Sequence, residues 1–390
     1  MRSTTRFVAC ALALLGCGAA WSAEPSSGTA LSAQEQATLK KYLAALISAR
    51  SQVLDLKYIE PDANGDNAGW GVNYKWNASK DDADLAEDQR SHHFVLKKLS
   101  YDFNVQGSYA FADTSNNADL STIKAAVRLE RGDFGKLDPQ EAMGLAIQQC
   151  VRFIAPPTAS AEQRREFDRQ LQKCEVDSGV DALVRNEDSA SYYWVDFHGG
   201  VEGNQDYSDS RTLFGLSGAY AFQPSRGLEQ YNVLDFPFRL LRNAFSTAQS
   251  GYTAPFPSVL LSVERLDASD DDVRNALTTK DTYTRANAEI AFNTIVATIN
   301  QQVVRFTVSY RYFHEFSAPQ AIKDADLDHF DYLNATLRFP AKMLPLVESD
   351  DFELYVAYTT GQLPFDQRSD KAFEVGFSTN FKWIADVLAQ

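Results

Sequence analysis

A period of two governs this chain from residue 52 to residue 383. Between Leu99 and Phe111, the residues Leu99, Tyr101, Phe103, Val105, Tyr109 and Phe111 fall on one face, and Ser100, Asp102, Asn104, Gln106 and Ser108 fall on the other. Successive side chains point to opposite sides only in a β-strand, so this ribbon is apolar on one face and wet on the other. Trp70, Val72, Tyr74 and Trp76 repeat the pattern, as do Ile123 to Leu129, Tyr193 to Val201, Val304 to Tyr312, Phe352 to Tyr358 and Phe373 to Trp383. Weaker alternation marks 52–60, 210–222, 257–267, 284–298 and 329–339, for a total of about twelve strands.

Two architectures can use such ribbons. In a soluble sandwich the apolar faces of two sheets meet in a core; in a transmembrane barrel they meet lipid, the polar faces line a lumen and every edge is paired. Strand length and aromatic placement favour the barrel. Sandwich strands average roughly five or six residues, whereas these run to ten or more, the length that crosses a bilayer at a tilt. Trp70, Trp76, Tyr312 and Trp383 stand close to strand ends, where an interfacial girdle sits. The fold expected is therefore all-β, an antiparallel up-and-down transmembrane barrel of about twelve strands.

The first residues read as an export signal. Arg2 and Arg6 precede the apolar run Phe7 to Leu15, and small residues follow at Gly16, Gly18, Ala19 and Ala20, which assigns residues 1–23 to a signal peptide. The apolar run is too short for an anchor. Leu14-Leu15-Gly16-Cys17 also resembles a lipoprotein box, so cleavage between residues 20 and 23 and lipidation at Cys17 both stay open. The chain has a formal charge of −15, and losing the leader makes it two units more negative. An acidic surface with a pI near 4.8 excludes a general nucleic-acid binder, which needs a basic field to attract phosphates.

Three helical segments interrupt the strands. Ser32 and Glu35 form a capping box ahead of Leu39, Tyr42, Leu43, Leu46 and Ile47, placing a helix in a periplasmic segment at 24–51. Residues 134–186 read as a helical hairpin broken at Pro156-Pro157. Cys150 and Cys174 face each other across it and, in an exported chain, read as one disulfide; two buried free thiols is the alternative. Closing a loop of this size stabilises a small excursion by roughly 3 kcal/mol in the chain-entropy picture. The third segment, 228–250, carries a short helix opened by Asp235 and Pro237 and striped by Phe238, Leu241 and Phe245. All three are expected at one mouth, closing that end of the barrel or plugging it.

Through its dyad repeats, and above all the aromatic-rich last strand Phe373 to Trp383, the chain resembles the outer-membrane β-barrel class of Gram-negative bacteria over residues 52–383. It departs from the class in that Ile384 to Gln390 follow the last strand as a tail, where the class usually ends on an aromatic residue. The resemblance implies an outer-membrane location and contact with outer-membrane lipid and lipopolysaccharide. It also implies insertion by the barrel-assembly machinery and periplasmic termini, with odd connections facing outward.

No nucleophile elbow, phosphate loop, cofactor fingerprint or metal-binding Cys/His spacing is present in the sequence, and no cofactor is implied. His314 and Ser317 lie close together, but the residues around them do not match the barrel phospholipases. His92 and His93 precede a strand and read as solvated, whereas Asp196, His198 and Glu202 share a polar face, a conceivable proton relay or cation site. The charged lumen set is richer: Lys124, Arg128, Glu130, Asp196, His198, Glu202, Glu264, Glu289, Arg305, Arg311, Glu353, Glu374 and Lys382. In a narrow bore these charges either stand apart across water and select small polar solutes or pair into a ladder that closes the lumen. Acidic runs at Asp81 to Asp88 and Asp267 to Asp272 read as solvated loops. The sequence thus points to a narrow channel or transport component for small polar solutes. A non-enzymatic scaffold docking a periplasmic protein through the hairpin is the alternative, and a barrel enzyme is the third reading.

Overall fold

The structure, a computed structural model, describes residues 53–61, 69–88, 93–110, 120–133, 189–204, 207–225, 227–246, 252–299, 302–343, 352–365 and 371–379. The expected signal peptide, the helix expected at 24–51, the hairpin expected at 134–186 with Cys150 and Cys174, Lys382 and residues 384–390 lie outside these residues. Twelve strands build the molecule: β1 (Val53–Pro61), β2 (Gly69–Asp88), β3 (His93–Ala110), β4 (Ser121–Asp133), β5 (Ala190–Gly203), β6 (Ser210–Gln223), β7 (Ser258–Asp270), β8 (Thr282–Ile299), β9 (Gln302–Phe316), β10 (His329–Pro340), β11 (Phe352–Gly361) and β12 (Ala372–Thr379). Each pairs antiparallel with its sequence neighbours, and β1 pairs with β12, so the sheet closes on itself.

Closure gives each residue one of two fates. Where a strand alternates apolar and polar residues, register carries the polar set around the inside of the wall: Arg128 opposes Asp196, Asp196 opposes Ser217, and Ser217 opposes Ser262. The apolar set looks outward, and Leu216, Leu261, Phe214 and Val195 are each more than half exposed. Arg285, Lys57, Glu202 and Glu264, by contrast, are almost wholly buried. This is the reverse of a soluble core and removes the sandwich reading, because apolar surface on this scale needs a hydrocarbon partner. Aromatic residues gather on the outside near strand ends, with Tyr58 edge-on to Trp70 at 5.5 Å and Tyr358 against Phe373 at 5.1 Å.

The start of β1 and the end of β12 meet at one end of the barrel, here the terminal end; the other is the mouth. The connections β2–β3, β4–β5, β6–β7, β8–β9 and β10–β11 all leave from the terminal end, and the turn between Ile299 and Gln302 is the tight one anticipated there. The mouth is folded inward. Its β7–β8 connection carries the helical turn α2 (Asp272–Asn275), its β9–β10 connection carries α3 (Gln320–Asp324), and Ile322 of α3 is fully buried.

Two expectations are corrected. The acidic runs are not simple loops: Asp81 to Asp88 belongs to β2, whose hairpin with β3 keeps its register as far as Asp88 and His93. Asp267 to Asp270 belongs to β7, and Asp271 is 2% exposed, drawn inward by an arginine. The helix α1 (Phe236–Phe245), which begins at the expected Asp235 and Pro237, neither closes an end nor plugs the lumen. It lies against the outer wall, where Phe238 stacks on Phe306 at 4.8 Å and meets Phe292 at 6.2 Å. Both partners have the outward parity, because β8 and β9 turn Glu289 and Arg311 inward as a facing pair.

Candidate functional site

The lumen is built by strands whose inward positions are polar and whose neighbours in register are polar too. Glu202 of β5 and Arg285 of β8 meet across the bore through two parallel 2.7 Å hydrogen bonds. Arg285 also donates to Glu264 of β7 at 3.1 and 2.6 Å, so one guanidinium serves two carboxylates. The other oxygen of Glu264 takes Lys124 of β4 at 3.2 Å and faces His198 Nε2 at 3.1 Å. His198 Nδ1 lies 3.0 Å from Asp196, whose second oxygen accepts from Arg128 at 3.1 Å. Arg128 stacks over Trp194 at 4.2 Å and approaches Asp102 at 3.5 Å. Glu130 continues the chain toward the terminal end, accepting from Ser100 at 3.1 Å, lying 3.6 Å from Lys98 and taking the Tyr192 hydroxyl. Bidentate geometry of this kind is what guanidinium forks achieve with carboxylates and what offsets desolvation.

Above this layer the mouth carries a second ionic cluster. Asp271 and Arg274 enter from the β7–β8 connection. Arg211 donates to Asp271 at 2.8 Å and to the Pro364 carbonyl at 3.2 Å, and Arg274 grips Glu315 at 2.6 and 3.0 Å. Arg274 also donates to the Leu327 carbonyl at 2.6 Å, which ties the β9–β10 connection to this ionic cluster. Phe313, Phe330 and Leu363 pack beside it, and Leu120, from the start of β4, reaches them across the barrel. These ionic and apolar clusters, the stopper, sit inside the mouth.

Beneath the stopper lies a cavity of about 420 Å³. Thr122, Lys124, Arg128 and Trp194 line one side; Ser262, Glu264, Asn287, Glu289 and Arg311 line the other. Its charges are unevenly presented. The Lys124, Arg128 and Arg311 side chains are 31%, 29% and 33% exposed, whereas those of Glu264 and Asp196 are 2% and 5%. Glu289 is intermediate at 23%, bridged to Arg311 at 2.9 Å. Thr122 and Ser262 are buried with hydroxyls that have no partner among the described residues, and the Asn287 carbonyl oxygen is in the same condition. Polar groups and part-exposed cations thus line this cavity together.

A closed wall that is apolar outside and charged inside is an outer-membrane β-barrel. This architecture places the chain in the outer membrane of Gram-negative bacteria. No family model and no curated protein matches its sequence. Solved structures to which it is similar include the NanC porin, 8% identical over 85% of this chain and 100% of that one, with a TM-score of 0.29. Others are OccK11 (OpdR) of Pseudomonas aeruginosa, 8% identical over 84% and 94% with a TM-score of 0.31, and the β domain of the Bordetella autotransporter BrkA, 10% identical over 84% and 97% with a TM-score of 0.28.

Of the residues singled out from sequence, Lys124, Arg128, Glu130, Asp196, His198, Glu202, Glu289 and Arg311 come together in the network or at the cavity. Arg305 of β9, Glu353 of β11 and Glu374 of β12 stand outside it in separate bridges, Arg305 to Glu353 and Lys57 to Glu374, each at 3.2 Å. The opposed lumen charges pair rather than standing apart across water. His198 does not meet Glu202, which Arg285 takes instead. Ser217 lies 3.3 Å from Nδ1, the nitrogen already facing Asp196, while Nε2 faces Glu264. Both ring nitrogens of His198 thus face carboxylates, and the imidazole links Asp196 of β5 to Glu264 of β7. At the mouth, Asp326, Asp328 and His329 gather their ligand atoms within 4.8 Å, but the imidazole itself faces both acids.

Sequence reading missed Arg211, Arg274, Arg285 and Glu315. Arg285 and Glu315 carried a usable signal, since both continue the inward parity of Glu289 and Arg311. Arg274 carried none, because it sits in a connection that alternation does not cover.

Proposed function

We propose that this protein is a gated, narrow conduit for small polar solutes across the outer membrane, with a preference for anions bearing several hydrogen-bonding groups. The cavity under the ionic stopper carries this reading. It is roomy enough for a small metabolite, three part-exposed cations reach it, and its neighbouring carboxylates are mostly withdrawn into bridges. A solute carboxylate would sit between Lys124 and Arg128 on one side and Arg311 on the other. Its hydroxyls would meet Thr122, Ser262 and Asn287. Water-lined pores select by such donors, acceptors and fixed charges at close range. With the termini in the periplasm, the stopper stands on the extracellular side and acts as the gate.

The test is solute entry into vesicles holding the refolded protein, using gluconate, glucose and glucosamine as a size-matched series. Gluconate is expected to enter fastest, and Lys124→Gln with Arg311→Gln to erase its advantage while glucose entry changes little. Equal entry of all three would overturn the anion preference. The dense lumen pairing specifically favours one other reading, a closed scaffold barrel, for which none of the three would enter through wild type or any stopper variant.

A further inference from the structure

The helix α1 is amphipathic in the inverted sense. Its inward positions are Asp235, Phe238 and Arg242, with Ser246 one turn on; Asp235 and Arg242 are buried against the barrel's outer wall. Arg242 bridges Asp235 at 2.9 Å and donates to the Thr294 hydroxyl at 2.9 Å and the Ile295 carbonyl at 2.6 Å. Thr298 N donates to Ser246 Oγ at 3.0 Å. These backbone groups belong to the part of β8 beyond Ala291, where its pairing with β7 has ended at Ser258. The helix therefore covers this strand edge, together with Tyr252, which bonds Thr294 and Ile295.

The face it turns away from the protein is greasy. Phe236, Leu240 and Phe245 are 53%, 54% and 61% exposed, and the approach to the helix adds Tyr231 at 65%, Val233 at 76% and Leu234 at 49%. No acidic side chain lies on the exposed face between Tyr231 and Phe245, and its one cation, Arg239, lies 5.7 Å from the Phe236 ring. This surface is continuous with the lipid-facing wall, because Phe238 closes onto Phe292 and Phe306 of the same outward face.

We infer that residues 231–245 form a membrane-embedded ledge, docked in the acyl chains of the bilayer leaflet at the barrel's terminal end. An interfacial helix buries its apolar face at the headgroup boundary and lets a basic side chain reach the phosphates, the place Arg239 takes here. The ledge sits beside the wall and fixes the barrel's depth at that end. It does so with the polar side of the helix satisfied by protein and the apolar side by lipid.

Tryptophan at position 240 reads the environment directly. The intact protein carrying Leu240→Trp, and separately Phe245→Trp, would be reconstituted in vesicles of phospholipid with brominated acyl chains, with wild type giving the background emission. The emission added by each new tryptophan is expected to be quenched severalfold more by the lipid bromines than by iodide in the buffer. Stronger quenching by iodide would show the face in water, and quenching by neither would show it covered by protein, such as a second copy; either result overturns the ledge. Both sites are exposed, so each variant is expected to keep the heat-modifiable gel mobility of a folded barrel.

Discussion

Arg285 and Glu202, held by two 2.7 Å hydrogen bonds across the bore, are 1% exposed each and come from strands three apart in the wall. The bridge also positions Glu264, which shares the same guanidinium. Removing one partner of a buried pair leaves a bare charge, a loss of about 3–5 kcal/mol. Arg285→Met, which strips Glu202 of its bidentate partner and Glu264 of one of its three partners, is expected to lower stability by that amount in urea unfolding of the refolded barrel. Arg305→Gln breaks a bridge whose arginine is 58% exposed and is expected to change stability by less than about 1 kcal/mol. Equal effects would mean that the lumen is more solvated than these contacts imply.

Gly215 stands where His198 and Glu264 converge from the neighbouring strands. A Cβ there would lie 2.4 Å from the Val263 carbonyl and 2.9 Å from Glu264 Cγ, too close for either to remain in place. Gly215→Ala is expected to cut the yield of heat-modifiable barrel, whereas Gly218→Ala, whose nearest contact is 3.5 Å, is expected to fold as wild type does. Normal folding of both would remove the close approach of β6 and β7 from the account.

Asp235 is the acid that holds Arg242 against the wall. Asp235→Ala is expected to loosen α1 locally while leaving the barrel closed, since local openings need not follow global stability. Limited trypsin digestion would then cut faster at Arg239 and Arg242, with the heat-modifiable band retained. An unchanged digestion rate would show that Phe238 and the lipid-facing residues hold the helix without the ion pair.

Alternation made the strands and their inward faces legible because period two is a local property: the parity of Arg128 or Glu289 needs only its own strand. What stayed hidden was set by closure. No local signal says that Glu202 finds an arginine three strands away, or that Asp271 and Arg274 fold back into the mouth. The helix at 236–245 was legible as a helix, but its side was not. Reading Phe238, Leu241 and Phe245 as a buried stripe assumes a watery exterior. In a membrane the rule inverts, so Asp235 and Arg242 turn inward and Phe245 turns outward.

The gate rests on Arg274, which joins Glu315 to the Leu327 carbonyl and is 2% exposed. Single-channel recording in planar bilayers, comparing wild type with Arg274→Ala, tests the conduit most directly. Wild type is expected to give rare, brief openings of one discrete size, and the variant to stay open for most of the record at the same or a larger conductance. Folded barrels that pass no current in either form would contradict the conduit and leave a closed scaffold.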